Sequence, residues 1–384
     1  MGENDIEQPV LLEGERAGIQ IAEGHCSAGC KECYERGARV GILEELMERG
    51  VNLRVQDYVN MDPEVPDVLN DFAFTDPYLQ LVLKTNPRDF LRYFQLCAKV
   101  GIRNLFLLGS EPTEHVNFEE ILDLANQAGV KLMVYTSGKN LDKLQHTAVD
   151  HVVLHVNYGE GVKDGACTPE FLKKVDDLLA RGVKIDCRVN FSSAKMREKS
   201  LISSFYEGIR PEFRQNVLLK YSFNAKAPFS IDHMTPDRMR EVSFDLISFI
   251  DEFRVHFPEV SLFAERPIFP CAFPDDVWEK YAKVGGFRPI CSMEYTFYQQ
   301  GGLGLCPPAR RVIPRIPVET PDQLREAISK LREQVHEVKF GIPSFPECEE
   351  CRHRILEVCQ GGCSCYKEEP RGCSQIMQDE NQVV

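Results

Sequence analysis

The chain has 384 residues, 43% of them hydrophobic and 27% charged, which is the composition of a globular protein with room for two or three domains. Its net charge of −14 is opposite in sign to the basic surface that a phosphate backbone requires, so we expect no nucleic-acid partner. No apolar run reaches about 18 residues and the N-terminus MGENDIEQP is acidic, so we expect no membrane span, no secretory signal and a cytoplasmic location.

Short apolar runs alternate with helical patterns from residue 17 to about residue 225. The runs are AGIQIAEG, IRNLFLLGS, KLMVYTSG, HVVLHVNYG, VKIDCRVNF and NVLLKYSFN, and the helical patterns include PRDFLRYFQLCAKVG, FEEILDLANQAG and TPEFLKKVDDLLARG. This alternation predicts parallel βα units. Six units predict an α/β fold, a partial (β/α)6 barrel of the TIM type, open on one side, with its site at the C-terminal ends of the strands.

The rest of the chain has other patterns. Residues 236–256 predict an amphipathic helix, and beyond about residue 265 regular periodicity fades, except for a helix predicted at 321–337. A segment poor in periodicity and rich in cysteine is usually held together by metal. We therefore divide the chain into a polar lead at 1–16, a partial barrel at 17–235 with an insertion at about 35–86, a bridging helix and linker at 236–290, a Cys-rich, irregular α+β domain at 291–373, and a polar tail at 374–384.

Twelve of the 15 cysteines fall into two groups, three within residues 26–33 and nine within residues 271–373. Clustered cysteines in a long chain of a reducing compartment indicate metal binding rather than a disulfide scaffold. The first group, in GHCSAGCKECYERG, has the spacing C-x3-C-x2-C on a loop directly after the first strand. Three thiolates there would hold either a zinc ion, with His25 as fourth ligand, or a [4Fe–4S] cluster with one open iron.

The spacing of Cys26, Cys30 and Cys33, followed by the aromatic Tyr34, resembles the radical SAM superfamily. In that family the amino and carboxylate groups of S-adenosylmethionine fill the open position of the [4Fe–4S] cluster. A second match ends the second strand, where Gly109-Ser110-Glu111-Pro112 resembles the GGEP segment that lies along the methionine amino group. The serine departs from the family glycine but is also small, and the glutamate is able to accept a hydrogen bond from an ammonium.

Weaker matches follow at the next strand ends, and each also fits ordinary barrel packing. The resemblance implies that Ser137 in VYTSG borders the cosubstrate, that Asn157 in HVNYG meets its ribose, and that Arg188 meets its carboxylate. Alternation in VKIDCRVNF places Asp186 on the same face as Arg188, toward the lumen, so Asp186 is the candidate catalytic base and Cys187 packs outward. In the alternative register, Cys187 would face the lumen and donate a hydrogen atom.

The second group of cysteines resembles the SPASM domain, which holds auxiliary [4Fe–4S] clusters in some radical SAM enzymes. The match begins with Cys291 and Cys306, with Gly301 between them. It continues with a C-x2-C-x7-C-x3-C run whose middle gap is two residues longer than usual. A zinc ribbon is the alternative. The resemblance implies a first auxiliary cluster on Cys291, Cys306 and Cys363 with Cys271 as candidate upstream ligand, a second on Cys348, Cys351, Cys359 and Cys373, and Cys365 as a substitute for Cys363 or Cys373.

The resemblance implies reductive cleavage of S-adenosylmethionine to a 5′-deoxyadenosyl radical, with ferredoxin or flavodoxin as electron donor. The substrate is expected to be a peptide or protein, which would undergo maturation, crosslinking or side-chain oxidation, and the alternative is a small molecule such as a tetrapyrrole or a sugar. Because 25 residues precede Cys26, we expect no N-terminal leader-binding domain. A non-catalytic iron–sulfur electron carrier or a zinc scaffold is the alternative of another class, although neither would need a cosubstrate segment.

Overall fold

The computed structural model describes the chain in ten segments. They are residues 16–21, 87–109, 111–156, 161–191, 198–223, 236–291, 294–297, 302–305, 316–341 and 343–362. The predicted insertion at 35–86 and the predicted polar tail at 374–384 lie outside these residues.

Each of the six apolar runs of the sequence contains all or most of a strand. In chain order the strands are β1 (Arg16–Ile21), β2 (Asn104–Gly109), β3 (Lys131–Thr136), β4 (Val149–His155), β5 (Val162–Lys163), β6 (Ala166–Cys167), β7 (Lys184–Phe191), β8 (Val217–Phe223), β9 (Leu262–Ala264), β10 (Tyr295–Phe297) and β11 (Leu303–Gly304). Within the described segments they form a nine-stranded sheet in the order β11-β10-β1-β2-β3-β4-β7-β8-β9, and a separate β5–β6 hairpin.

Every neighbouring pair in the large sheet is parallel except β10 and β11. The six long strands β1, β2, β3, β4, β7 and β8 therefore follow one another in chain order and all run in one direction. Right-handed βα crossovers produce this arrangement when a parallel sheet curls toward a barrel. The predicted partial (β/α)6 architecture is confirmed.

Helices separate most of these strands. They are α1 (Pro87–Lys99), α2 (Phe118–Ala128), α3 (Pro169–Ala180), α4 (Lys199–Gly208), α5 (Pro211–Arg214), α6 (Pro236–His256), α7 (Asp275–Val284), α8 (Pro321–His336) and α9 (Arg352–Ile355). Local sequence explains where several begin: Thr168 accepts a hydrogen bond from the Phe171 amide at the start of α3, and Thr320 and Gln323 form a capping box at the start of α8. No helix in the described segments is long and apolar enough to cross a bilayer.

The last third of the chain contributes both edges of the sheet. Strand β9 pairs with β8, and β10 pairs with β1 through Ala17 and Tyr295. Helix α7 lies in the segment where sequence periodicity fades. The domain boundaries drawn from the sequence stay a prediction.

The two faces of the sheet differ in chemistry. On β2 and β7 the side chains of Leu105, Leu107, Ile185 and Cys187 are at most 1% exposed and belong to one apolar core with the surrounding helices. The alternate residues of β7 lie on the other face and are polar. Strand alternation therefore lines the inside of the partial barrel with side chains that must find polar partners.

Candidate functional site

The ends of β1 and β2 lie side by side at one edge of the sheet. Ile21, the last residue of β1, pairs with Gly109, the last residue of β2. The chain continues from β1 toward the loop of Cys26, Cys30 and Cys33, which lies outside the described residues, as do Ser110 and Asn157. The described segment resumes with Glu111.

Glu111 is 3% exposed and its carboxylate joins the loop after β2 to the loop after β3. Its Oε1 accepts hydrogen bonds from the Thr113 amide (3.2 Å), the Thr113 hydroxyl (2.7 Å) and the Thr136 hydroxyl (2.7 Å). Its Oε2 accepts from the Ser137 amide and hydroxyl, both at 2.7 Å. A carboxylate offers about four lone-pair positions, so these five donors saturate it. Glu111 therefore fixes Ser137 relative to β2, and its role as acceptor for an ammonium stays a prediction.

Further contacts hold the same loop. Pro112 begins a short 3-10 turn, Pro112–Glu114, with Glu111 at its N-cap. The carbonyl of Thr113 accepts from Lys143 Nζ at 2.9 Å, and Glu114 pairs with Lys139 at 2.9 Å. These bonds come from the segment that follows β3, so the ends of β2 and β3 form one hydrogen-bonded unit.

Asp186 lies on the inner face of β7, 5% exposed, between two cationic or protonatable groups. One of its oxygens, Oδ2, is 2.8 Å from His151 Nε2 and 2.7 Å from Lys220 Nζ. Burial by itself would raise the pKa of this carboxyl, but the His151 hydrogen bond and the Lys220 charge outweigh it and hold the pKa below its usual range. Asp186 is thus an ionised acceptor at neutral pH, and its predicted role as catalytic base stays a prediction.

Arg188 also lies on the inner face and already has a carboxylate partner. Its Nε is 2.6 Å from Glu265 Oε2, and its guanidinium lies 5.9 Å from the centroid of the Tyr135 ring. Burial lowers the pKa of the nearby His155 to about 3, and the charge of Arg188 contributes a smaller part of this shift. The imidazole is therefore neutral at physiological pH. The predicted contact of Arg188 with the cosubstrate carboxylate stays a prediction.

Sequence reasoning missed several residues of this lumen. His151, Lys220 and Tyr135 are polar residues inside strands that otherwise read as apolar, and that interruption was the available signal. Glu265 and Glu294 gave no such signal, because they flank the three-residue strands β9 and β10, which periodicity did not predict. Burial, reinforced by the charge of Glu265, raises the pKa of Glu294.

Cys187 lies on the opposite face, 0% exposed in the apolar core. Burial raises the pKa of its thiol well above the usual value, and a hydrogen bond with Tyr206 of α4 opposes this effect. The structure therefore places Asp186 and Arg188 in the lumen and Cys187 against the helices.

Five cysteines of the second group lie in the described residues: Cys271, Cys291, Cys348, Cys351 and Cys359. Cys291 contacts Gln360: its amide donates to Gln360 Oε1 at 2.9 Å, and Gln360 Nε2 donates to its sulfur at 3.3 Å. Cys348 and Cys359 are buried, with 8% and 6% of their surface exposed. Cys306, Cys363 and Cys373 lie outside the described residues.

Cys271, Cys348, Cys351 and Cys359 are all described, and a set of four thiols fits iron–sulfur chemistry. Among the residues that the structure describes, no group of three or more His, Cys, Asp or Glu side chains converges on the position of a metal ion.

No protein-family model and no curated protein matches the chain. Solved structures do. anSMEcpe with bound AdoMet is 14% identical, with 74% of this chain and 83% of that chain covered and a TM-score of 0.51; its complex with AdoMet and the Kp18Cys peptide gives the same values. The chain shares its partial-barrel fold with anSMEcpe. SuiB of Streptococcus suis bound to S-adenosylmethionine is 14% identical, with a TM-score of 0.46 over 73% of this chain, and the match spans 66% of the SuiB chain.

Proposed function

We propose that the protein is a radical SAM enzyme of the oxidoreductase or maturase type, with a SPASM-like auxiliary-cluster region. The observation that carries this proposal is the arrangement of the strand ends at one edge of the sheet. Strands β1 and β2, which precede the cysteine motif and the GSEP segment in the sequence, end side by side at the pair Ile21 and Gly109, and Glu111 accepts two hydrogen bonds from Ser137 just after β3. The fold shared with a protein solved with bound AdoMet supports the proposal.

In this proposal Cys26, Cys30 and Cys33 would hold a [4Fe–4S] cluster, to which S-adenosylmethionine would bind. The reduced cluster and S-adenosylmethionine would together supply a 5′-deoxyadenosyl radical able to remove a hydrogen atom from the substrate. Gly109, at φ 130°, adopts a backbone conformation that L-residues rarely reach, so the chain leaves β2 without a side chain at that corner. Glu111 keeps the two flanking loops in place.

The lumen supplies binding and exclusion of water rather than the radical itself. Its charges of both signs, paired as Asp186 with Lys220 and Arg188 with Glu265, form a fixed polar wall. We propose a peptide or protein substrate, and the anSMEcpe structure that contains a peptide supports this choice. A reduced ferredoxin or flavodoxin is the proposed electron donor.

The radical chemistry is tested by anaerobic reconstitution followed by chromatography of the nucleoside products. With dithionite and S-adenosylmethionine, the wild-type protein should release 5′-deoxyadenosine and methionine. The triple variant Cys26→Ala, Cys30→Ala, Cys33→Ala should release none and should lose about a third of about twelve irons per chain. Cys167→Ala, which alters a buried core thiol, is the matched control. Unchanged 5′-deoxyadenosine in the triple variant would reject the proposal.

The substrate class is tested by the origin of the abstracted hydrogen. Two perdeuterated fractions of a bacterial extract, peptides and small metabolites, are offered separately to the reconstituted enzyme, and 5′-deoxyadenosine is analysed by mass spectrometry. Deuterium transferred from the peptide fraction supports the proposal. Deuterium transferred from the metabolite fraction alone favours a tetrapyrrole, a sugar or another small substrate instead.

A further inference from the structure

Tyr135 lies on the inner face of β3, close to the strand end that the proposed site uses. Leu132 and Val134, both 0% exposed, belong to the apolar core on the other face of the strand. Alternation therefore turns the half-buried Tyr135 toward the lumen. Ser137, which Glu111 holds by two hydrogen bonds, follows two residues later. A substrate in the barrel would lie within reach of this ring.

Contacts on two sides hold the Tyr135 ring. Phe106 of β2 meets it edge-on, with the ring centroids 6.2 Å apart, and the Arg188 guanidinium lies 5.9 Å from its centroid. Glu265 in turn holds Arg188, with 2.6 Å between its Oε2 and the arginine Nε. The ring thus belongs to a chain of contacts that crosses the lumen from β2 to the end of β9. Its orientation is set by protein groups, so the entropy cost of ordering it for a ligand is small.

The hydroxyl of Tyr135 differs from the hydroxyls of other buried tyrosines. Tyr221 donates to the Gly285 carbonyl at 2.7 Å, and Tyr281 donates to an oxygen of Asp251 at 2.6 Å. Such partners are usual for a tyrosine inside a protein. Within the segments that the structure describes, the Tyr135 hydroxyl makes no hydrogen bond. It is therefore a donor on the lumen wall that a ligand can use.

The surrounding charges decide which acceptor this donor suits. Burial raises the pKa of Tyr135 well above its usual value, Glu294 and Glu265 raise it further, and the charge of Arg188 opposes them. The phenol therefore stays protonated and remains a donor at physiological pH. The same carboxylates that disfavour a phenolate also disfavour an anionic acceptor at this position. An uncharged carbonyl oxygen suits the position better than a carboxylate does.

We propose that the Tyr135 hydroxyl donates a hydrogen bond to an uncharged carbonyl oxygen of the substrate, the amide carbonyl of a peptide, and so determines which substrates bind in the lumen. This inference rests on the proposed function and adds a specificity-determining residue to it. Tyr135 takes no part in the cleavage of S-adenosylmethionine. Because the ring contacts do not involve the hydroxyl, phenylalanine at this position removes the donor and keeps the packing.

The test compares Tyr135→Phe with Tyr221→Phe, which makes the same substitution at a hydroxyl that has a protein partner. Deuterium transfer to 5′-deoxyadenosine is measured against increasing amounts of the perdeuterated peptide fraction. Loss of one neutral hydrogen bond should raise the half-saturating amount in Tyr135→Phe by about 3- to 10-fold. Transfer at saturation, and 5′-deoxyadenosine released without peptide, should stay within about twofold of wild type. Tyr221→Phe should match the wild type in all three measurements.

Thermal unfolding distinguishes a binding role from a structural one. The midpoint of Tyr135→Phe should lie within about 1 °C of the wild type, because no described residue loses a hydrogen bond, whereas Tyr221→Phe should unfold about 2 °C lower. A further measurement uses the peptide fraction after esterification of its carboxyl groups, which spares the amide carbonyls. The difference between wild type and Tyr135→Phe should persist with these peptides.

An unchanged half-saturating amount in Tyr135→Phe would overturn the inference, and so would a midpoint as low as that of Tyr221→Phe. If esterification abolished the difference between wild type and Tyr135→Phe, the acceptor would be a carboxylate and the uncharged group would be wrong. All of these results leave the proposed function standing, because the wild type still releases 5′-deoxyadenosine. A wild type that releases none rejects the proposed function, and this inference with it.

Discussion

Glu111→Gln should destabilise the protein, because the Glu111 carboxylate is the common acceptor for five hydrogen bonds from two loops. An amide has one acceptor oxygen, and we expect it to keep the short bond to the Ser137 amide. The new NH2 then faces Thr113 and Thr136. Their hydroxyls can turn and accept, but the Thr113 amide, at 3.2 Å in the wild type, loses its partner.

Two effects contribute to the expected loss of stability. A buried amide without an acceptor costs about 1–3 kcal/mol, and bonds to a charged acceptor exceed neutral ones by about 1 kcal/mol each. Because the contributions of one cluster are not additive, we expect the free energy of unfolding to fall by about 2–4 kcal/mol. Since Glu111 is 3% exposed, solvent does little to screen this loss.

The assay is urea unfolding followed by circular dichroism, with Glu120→Gln as control. Glu120→Gln makes the same substitution on the exposed face of α2, and we expect it to change the free energy of unfolding by no more than about 0.5 kcal/mol. Calorimetry with S-adenosylmethionine, performed below the unfolding transition, measures whether the loosened loops also bind the cosubstrate less tightly. Equal unfolding free energies for Glu111→Gln and Glu120→Gln would refute the hydrogen-bond reasoning.

Three further predictions concern the lumen and the cysteine region. The pKa of His155 is about 3 in the folded state, below its ordinary value of 6.5, so the unfolded state binds more protons between pH 3 and pH 6.5. The free energy of unfolding therefore falls as the pH falls below 6.5, by up to about 1.4 kcal/mol per pH unit. In His155→Gln the stability profile between pH 6 and pH 4 should be flatter, and parallel profiles would contradict this. Asp186→Asn removes the negative charge that pairs with two half-buried groups, His151 and Lys220, and should cost about 3 kcal/mol in urea unfolding. Cys187→Ala should cost about 1 kcal/mol and leave 5′-deoxyadenosine release intact. Gln360→Ala should cost about 2–4 kcal/mol, since it leaves the Cys291 amide and the Gly362 carbonyl without their partner, and a loss below 1 kcal/mol would contradict it.

Local pattern was enough to predict the elements of the barrel. The alternation of apolar runs and amphipathic helices identified six parallel strands and the long helix α6. A helix or strand that buries one face must repeat its apolar residues with its own period, and this period is visible in the sequence. The same alternation within VKIDCRVNF placed Asp186 and Arg188 on one face and Cys187 on the other. The three-residue strands β9 and β10 were missed, since they are too short for a period to show, and helix α7 was missed as well.

The partners of the polar residues were decided by the tertiary structure. Arg188 lies on β7, and Glu265 directly follows β9. These two strands are separated by β8 in the sheet, and the curvature of the sheet brings the two side chains together. The five donors of Glu111 come from two loops, and the turn of Cys271 approaches the turn of Cys348 where the Phe269 and Phe345 rings pack together. A hydrogen bond, an ion pair or a shared ligand depends on distance in space, whereas a sequence pattern reports the distance along the chain, so the nature of the side chains was predictable and their pairing was not.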